Sequence, residues 1–341
     1  MKFTSALMRL SALVVFSSTA VLADPTLING AGATFPFPLY SKWFSDYRAV
    51  DASVEINYQS IGSGGGIRQL LEKSVDFGAS DAPMTDAELA KSSTPVLHIP
   101  TVLGAVVATY HLPGLDKPLR FSSQVLADIF LGKITDWSHA KIAAENPGVK
   151  LPKLPMLVAY RSDGSGTTSV FTDYLAKASP EFAKTVGSGK SVKWPTGLGG
   201  KGNEGVTGLI KQTPGAVGYV EHIYAESNKL PSAVIKNQAG NWVAPSMKAV
   251  TAAAEGALKT IPADFRVSIT NAAGKDVYPI SSFTYLLVYQ KMDALKGKKL
   301  VKFLNWALAD GQKTAAKLTY APLPKQLVAK VRARIQEIKT E

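Results

Sequence analysis

The chain has 341 residues, 46% of them hydrophobic, with no cysteine and a formal net charge of +12. The missing cysteine excludes disulfide frameworks, thiol catalysis and a lipid-anchored N-terminal cysteine. The basic excess is scattered along the chain rather than clustered, which argues against a nucleic-acid partner and is compatible with a field that attracts small anions.

At the N-terminus, Lys2 and Arg9 stand ahead of an apolar run from Leu10 to Leu22, which closes on Val21-Leu22-Ala23. That is the layout of a secretory signal peptide, residues 1–23, and cleavage is expected after Ala23. The run is shorter than the roughly 20 apolar residues that a permanent span needs. Its removal leaves 318 residues (341 − 23) and a charge of +10, since Lys2 and Arg9 go with it. At roughly 100 to 200 residues per domain, that length suits two domains of an exported, periplasmic protein.

Beyond the leader, short apolar runs bounded by Gly, Pro and Asp alternate with helix-period segments, the pattern of α/β architecture. In chain order, a short strand ends at "GAGATF" and leads to the helix "PLYSKWFSDYR"; "VEINYQSIG" passes through "GSGGG" to the helix "GIRQLLEKS". "DFGAS" then gives way to Asp81 and Pro83, and "TDAELAK" opens with Thr85 and Glu88 at capping-box spacing. Next come a strand in "LGAVVATYHL", a helix in "SQVLADIFLGK", a strand in "LPMLVAYR", the turn "RSDGSGTT" and the helix "SVFTDYLAKA". The glycine-rich segment from Gly197 to Gly205 has no assigned role; strands in "GAVGYVE" and "FTYLLVYQ" and two C-terminal helices complete the chain. In the last helix, Leu327, Val328, Val331, Ile335 and Ile338 recur at helical spacing, so it packs on one side and solvates its bases on the other.

Three of the strand-to-helix turns, "GAGATF", "GSGGG" and "DGSGTT", place small residues and hydroxyls where a helix begins. Unpaired backbone N–H groups and the positive end of the helix dipole point outward there, so such ends bind anions, phosphate above all. Three equivalent junctions suggest that the helix ends meet at one anion.

Other chemistries fit poorly. No turn supplies a Walker loop, and "GAGATF" lacks the last glycine of a dinucleotide fingerprint. A serine hydrolase built on Ser165 would need a nucleophile elbow, but the glycines around it are out of register. The four histidines, His98, His111, His139 and His222, all lie outside the glycine-rich loops. No His/Asp/Glu cluster has the spacing of metal ligands, and no cofactor is implied.

Binding without chemistry suits the inventory better. A dehydrated oxyanion needs many hydrogen-bond donors to replace its hydration. Backbone amides and Ser/Thr hydroxyls provide them, Arg161 adds a planar fork, and Asp163 can hold that fork in place. Asp81, at the C-terminal edge of its strand, would repel an anion unless that anion carries a proton, because an ionised carboxylate only accepts hydrogen bonds. Phosphate near neutral pH carries one and sulfate does not, so Asp81 selects between them.

Seven blocks, "GAGATFPFPLYSKW", "IGSGGGIRQL", "VDFGASDAPM", "IFLGKITDW", "RSDGSGTTSVFTDYL", "WPTGLGGKGNEGV" and "PGAVGYVE", closely resemble, in order, the periplasmic phosphate-binding proteins of high-affinity phosphate ABC transporters, the PstS family. The resemblance implies a monomeric, two-lobed binding protein of the type II class, each lobe a mixed sheet flanked by helices, joined by two hinge strands. It implies capture of inorganic phosphate between the lobes and delivery to a membrane permease with its ATPase, without catalysis. Carried over motif by motif, the phosphate contacts fall on Thr34, Phe35 (through its backbone N–H), Ser63, Asp81, Arg161, Ser165, Gly166 and Thr167, with Asp163 behind Arg161. Gly64 departs from the family, whose members often carry a second serine there. By the same resemblance lobe one comprises residues 24–107 and 280–341, and lobe two residues 108–279. A secreted phosphate-ester hydrolase using Ser165 or Thr167, and a surface phosphate sensor or adhesin acting through the basic C-terminal helix, are the competing readings.

Overall fold

The computed structural model describes residues 24–115 and 117–341; the expected leader, residues 1–23, and its cleavage point after Ala23 lie outside them. Eight strands form one mixed sheet in the spatial order Val54–Ser60, Thr26–Gly32, Phe77–Ser80, Ser281–Tyr289, Val96–Tyr110, Ala216–Glu221, Leu157–Arg161 and Leu198–Gly200. The first three run parallel, as do the last three. Parallel neighbours need crossover connections, and the helices Phe37–Val50 and Ser63–Leu71 supply them in one half, Gly166–Ala178 and Gly202–Gln212 in the other.

The 15-residue strand Val96–Tyr110, buried along its whole length, holds the halves together. Residues 96–105 pair antiparallel with Ser281–Tyr289, and residues 106–110 pair antiparallel with Ala216–Glu221. The chain therefore leaves the first half through this strand and returns to it at Ser281. The strand begins well before the stretch that its alternation marks, because Pro100 interrupts the pattern in "VLHIPTV". Proline cannot donate to a ladder, and the register shifts beside it: Pro100 faces Tyr285 while Val102 faces Thr284, leaving Thr101 as a bulge.

Each half has its own aromatic group. In the first, helix Phe37–Val50 turns Leu39, Tyr40, Trp43 and Tyr47 inward, and Trp43 donates through Nε1 to the Gly311 carbonyl at 2.8 Å. In the second, Phe171 stacks on Tyr219 with ring centroids 4.4 Å apart, and Phe130 and Trp194 close around them. Both aromatic groups belong to one continuous cluster of buried side chains that runs through the shared strands.

The C-terminal region holds three helices, Ala294–Ala307, Gly311–Lys317 and Lys325–Ile335, one more than the sequence suggests, because the turn at Leu308–Asp310 breaks the run. In the last of them Leu327, Val331 and Ile335 are buried while Lys330 and Arg332 face solvent, as the spacing predicts. The helix expected across "SQVLADIFLGK" stops at Phe130, and Gly132 turns the chain with φ near +74°. Thr85 and Glu88 form the expected capping box. Among the described residues no helix is long and apolar enough to cross a membrane.

Candidate anion-binding site

The three glycine- and hydroxyl-rich junctions converge. Ser63 opens helix Ser63–Leu71 and Ser165 caps helix Gly166–Ala178, and the two helix starts face each other across the halves of the sheet. Ser63 Oγ accepts the Gly166 N–H at 3.1 Å and the Asp81 N–H at 3.3 Å. The backbones touch as well, since Gly64 N–H donates to the Gly164 carbonyl at 2.8 Å. The cleft is thus closed. Gly62 makes this approach possible: its φ is +86°, and a Cβ there would lie 2.2 Å from Asp163 Oδ2.

Asp81 lies at the centre, 1% exposed, one residue beyond strand Phe77–Ser80. Its Oδ1 accepts the Thr284 hydroxyl at 2.9 Å, whereas Oδ2 has only the long 3.4 Å contact with Ser63 Oγ. Oδ2 faces Gly166, where a Cβ would sit 2.4 Å from it, so only glycine lets the carboxylate stand against this helix start. Burial pushes the Asp81 carboxyl up to about 7, against the Thr284 hydrogen bond, the Arg161 charge and the Ser63 hydroxyl, which pull it down; Asp163 adds to the rise.

Arg161 ends strand Leu157–Arg161 with a side chain 1% exposed. Asp163 grips it from one side, accepting Nε–H at 2.8 Å and Nη2–H at 2.5 Å. The remaining nitrogen, Nη1, points to Thr167 Oγ1 at 3.3 Å. Burial alone would push the Asp163 carboxyl up, but the Arg161 hydrogen bonds and charge, with the Gly202 N–H, outweigh it and hold it below the usual range. A positive fork aimed into the cleft and neutralised from behind suits an anion that must not be held irreversibly.

Thr34, Phe35 and Thr167 complete the ring. Thr34 gives its carbonyl to the Tyr224 hydroxyl at 2.6 Å, and Phe35 gives its carbonyl to Tyr320 at the same distance. The Phe35 ring is fully buried beside Gly104. Hydrogen bonds join Ser63, Asp81 and Gly166, join Arg161 and Thr167, and link Thr34 to Thr167 through Asn203, so residues of both halves come together here; Phe35 and Ser165 are their chain neighbours.

Residues 19–310 match the model of the PBP superfamily domain. A phosphate-binding protein PstS of Xylella fastidiosa (strain Temecula1 / ATCC 700964) is 45% identical over 90% of this chain and 84% of its own. One of Pasteurella multocida (strain Pm70) is 42% identical over 94% of this chain and 93% of its own. The chain belongs to the PstS family. The solved phosphate-binding protein of Stenotrophomonas maltophilia has the same fold, with a TM-score of 0.67 and 21% identity over 90% of this chain and 93% of its own.

Two residues of the PstS-family cleft escape the sequence reading. Asn203, fully buried, comes from the unassigned glycine-rich segment and touches both threonines. Thr284, on the returning strand, holds Asp81. The same segment supplies the Gly202 N–H to Asp163, which gives its glycines a role within the site. Among the described residues no histidine hydrogen-bonds to Ser165; His98 Nε2 accepts the Met84 N–H at 3.0 Å, and burial pushes its ring down to about 4. Ser165 Oγ itself accepts the Thr168 N–H at 3.0 Å as a helix cap.

Proposed function

We propose that this protein captures inorganic phosphate in the cleft between its lobes and presents it to an ABC permease, coupled to its ATPase, for import. The observation that carries this reading is Asp81: a buried carboxylate with one oxygen held by Thr284 and the other facing a helix start, surrounded by donors. Such a ring rejects an anion without hydrogen, because Asp81 Oδ2 would then oppose a bare oxygen at close range. A protonated phosphate oxygen turns that clash into a charge-assisted hydrogen bond. Arg161, Ser63, Thr34, Ser165 and Thr167 and the backbone N–H groups of Phe35 and Gly166 donate to the remaining oxygens, with Gly166 N–H exchanging Ser63 Oγ for the guest, and Asp163 holds the Arg161 fork from behind.

The lobes comprise residues 24–107 with 280–341, and residues 108–279; the change of strand partner at Val106 and the return at Ser281 support those limits. The protein acts as a monomer in the periplasm after loss of residues 1–23, and binds its ligand without turning it over. Use of Ser165 as a helix cap, with no histidine hydrogen-bonded to it among the described residues, favours binding over ester hydrolysis.

Calorimetry with phosphate, arsenate and sulfate tests the reading. Phosphate and arsenate, both protonated near neutral pH, bind tightly, and sulfate binds far more weakly. Equal binding of sulfate, or hydrolysis of phosphate esters by a preparation cleared of contaminating phosphatases, overturns it.

A further inference from the structure

We propose that Asn203 is a positioning residue that fixes the hydrogen-bond polarity of Thr34 and Thr167, so that both hydroxyls, one from each lobe, only donate into the cleft. The inference rests on the phosphate-binding reading above and assigns a role within that site.

The orientation of the Asn203 amide is decided by a backbone group. Glu221 N–H donates to Asn203 Oδ1 at 3.0 Å, and a peptide N–H has no other option. The opposite end of the amide is therefore Nδ2, with two hydrogens. One goes to Thr34 Oγ1 at 2.7 Å and the other to Thr167 Oγ1 at 3.2 Å.

A hydroxyl has one hydrogen and two acceptor positions. Thr34 Oγ1 also accepts the Asn203 backbone N–H at 3.2 Å, so both of its acceptor positions are occupied. Thr167 Oγ1 also accepts Arg161 Nη1–H at 3.3 Å, with the same result. Each threonine has one hydrogen left, which cannot turn back towards a donor. The guest oxygens at these two positions must be bare, and its hydrogen is confined to the side facing Asp81. Asn203 thereby divides the cleft into a donor side and one acceptor, which a phosphate carrying a single proton matches.

The test measures phosphate affinity of the full mature chain by calorimetry, with thermal melting as a control for folding. Asn203→Ala frees one acceptor position on each threonine and weakens phosphate about ten- to a hundredfold. In a Thr34→Val/Thr167→Val background, where no hydroxyl remains to be oriented, the same change costs less than about threefold. Equal losses in both backgrounds overturn the proposal, since packing alone gives that result. Asn203→Asp is the second variant: its carboxylate accepts the threonine hydrogens and turns them away from the guest, so it loses more affinity than Asn203→Ala. Binding by Asn203→Asp as tight as by Asn203→Ala overturns the proposal even where the double-valine background binds too weakly to measure. Failure of the unsubstituted chain to bind phosphate would instead reject the phosphate reading itself.

Discussion

Thr284 Oγ1 donates to Asp81 Oδ1 at 2.9 Å, a hydrogen bond between the strand that re-enters the first lobe and the carboxylate at the centre of the cleft. It fixes which oxygen of Asp81 is free to meet a guest. Thr284→Val removes the donor without changing the shape, leaving a buried carboxylate oxygen unpaired, at a cost of about 1 to 3 kcal/mol. Phosphate binding above neutral pH weakens accordingly, and the Asp81 carboxyl rises further. Titration of phosphate at two pH values checks this; an unchanged affinity at both would show that Asp81 needs no such support.

Replacing the carboxylate itself separates selectivity from affinity. In Asp81→Asn the amide can donate to an unprotonated oxygen, so sulfate gains relative to phosphate. The ratio of the two dissociation constants, measured by calorimetry in the same buffer, shrinks by tenfold or more, or about 1.4 kcal/mol. Full retention of the ratio would mean that discrimination lies elsewhere in the ring.

The same carboxyl makes closure of the ligand-free protein depend on pH. Burial raises Asp81 to about 7 in the closed cleft, above its ordinary value of 3.8. Opening hydrates it and returns it to the ordinary range. Between those values the closed form therefore holds more protons than the open form, and closure is favoured by acid and lost as pH rises through about 7. The closed-to-open ratio falls up to about tenfold per pH unit within that window and levels off above it. Glu221, buried and also raised, stays in place in both chains, so the comparison with Asp81→Asn isolates Asp81. Small-angle scattering without phosphate should show an expansion with pH that Asp81→Asn lacks.

Arg161 is a buried guanidinium gripped by Asp163, and Asp163 stays behind when it is removed. Arg161→Ala loses about 2 to 5 kcal/mol of phosphate affinity, the range for truncating one side of a buried charged contact. Part of that loss is the stranded Asp163 carboxylate, so Arg161→Ala combined with Asp163→Asn regains some of it. Calorimetry on the pair tests the coupling, and strictly additive losses would contradict it.

The sequence made the converging loops legible because each is a local pattern: glycines and hydroxyls between an apolar run and a helix, with Arg161 and Asp163 two positions apart. Asp81 was visible as a charge at the end of a strand. Asn203 and Thr284 were not, because their meaning lies in contacts across 169 and 203 residues of chain, with Thr34 and Asp81 respectively. One is a single amide in the first turn of the helix Gly202–Gln212, and the other a hydroxyl inside an apolar strand, where β-branched residues are common for packing alone. The start of the long hinge strand was hidden by Pro100, which only the bulge at Thr101 reconciles with a ladder. The three-stranded sheet of Arg120–Phe121, Val234–Lys236 and Trp242–Val243 has strands too short to show any alternation.

Closure itself has a handle outside the anion ring. Lys190 Nζ donates to Glu88 Oε2 at 2.9 Å and to Oε1 at 3.1 Å, joining the lobes at the cleft mouth. The Lys190 carbonyl meanwhile accepts the Ser165 N–H at 2.8 Å, so this residue ties the Ser165 loop to the opposite lobe. Burial pushes the Glu88 carboxyl up, yet the Thr85 N–H and Lys190 outweigh that and hold it below 4.5. The pair therefore contributes above its ordinary range and is lost as pH falls through the lowered value. Both side chains are partly exposed, so the contribution is about 1 kcal/mol or less and weakens with salt. Lys190→Met keeps the aliphatic stem and the backbone link while removing the charge. Because the contact exists only after closure, the association rate of phosphate stays nearly constant and the dissociation rate rises about three- to fivefold. Stopped-flow release of phosphate at low and high salt decides the matter: an unchanged dissociation rate at low salt would show that the pair is a bystander to closure.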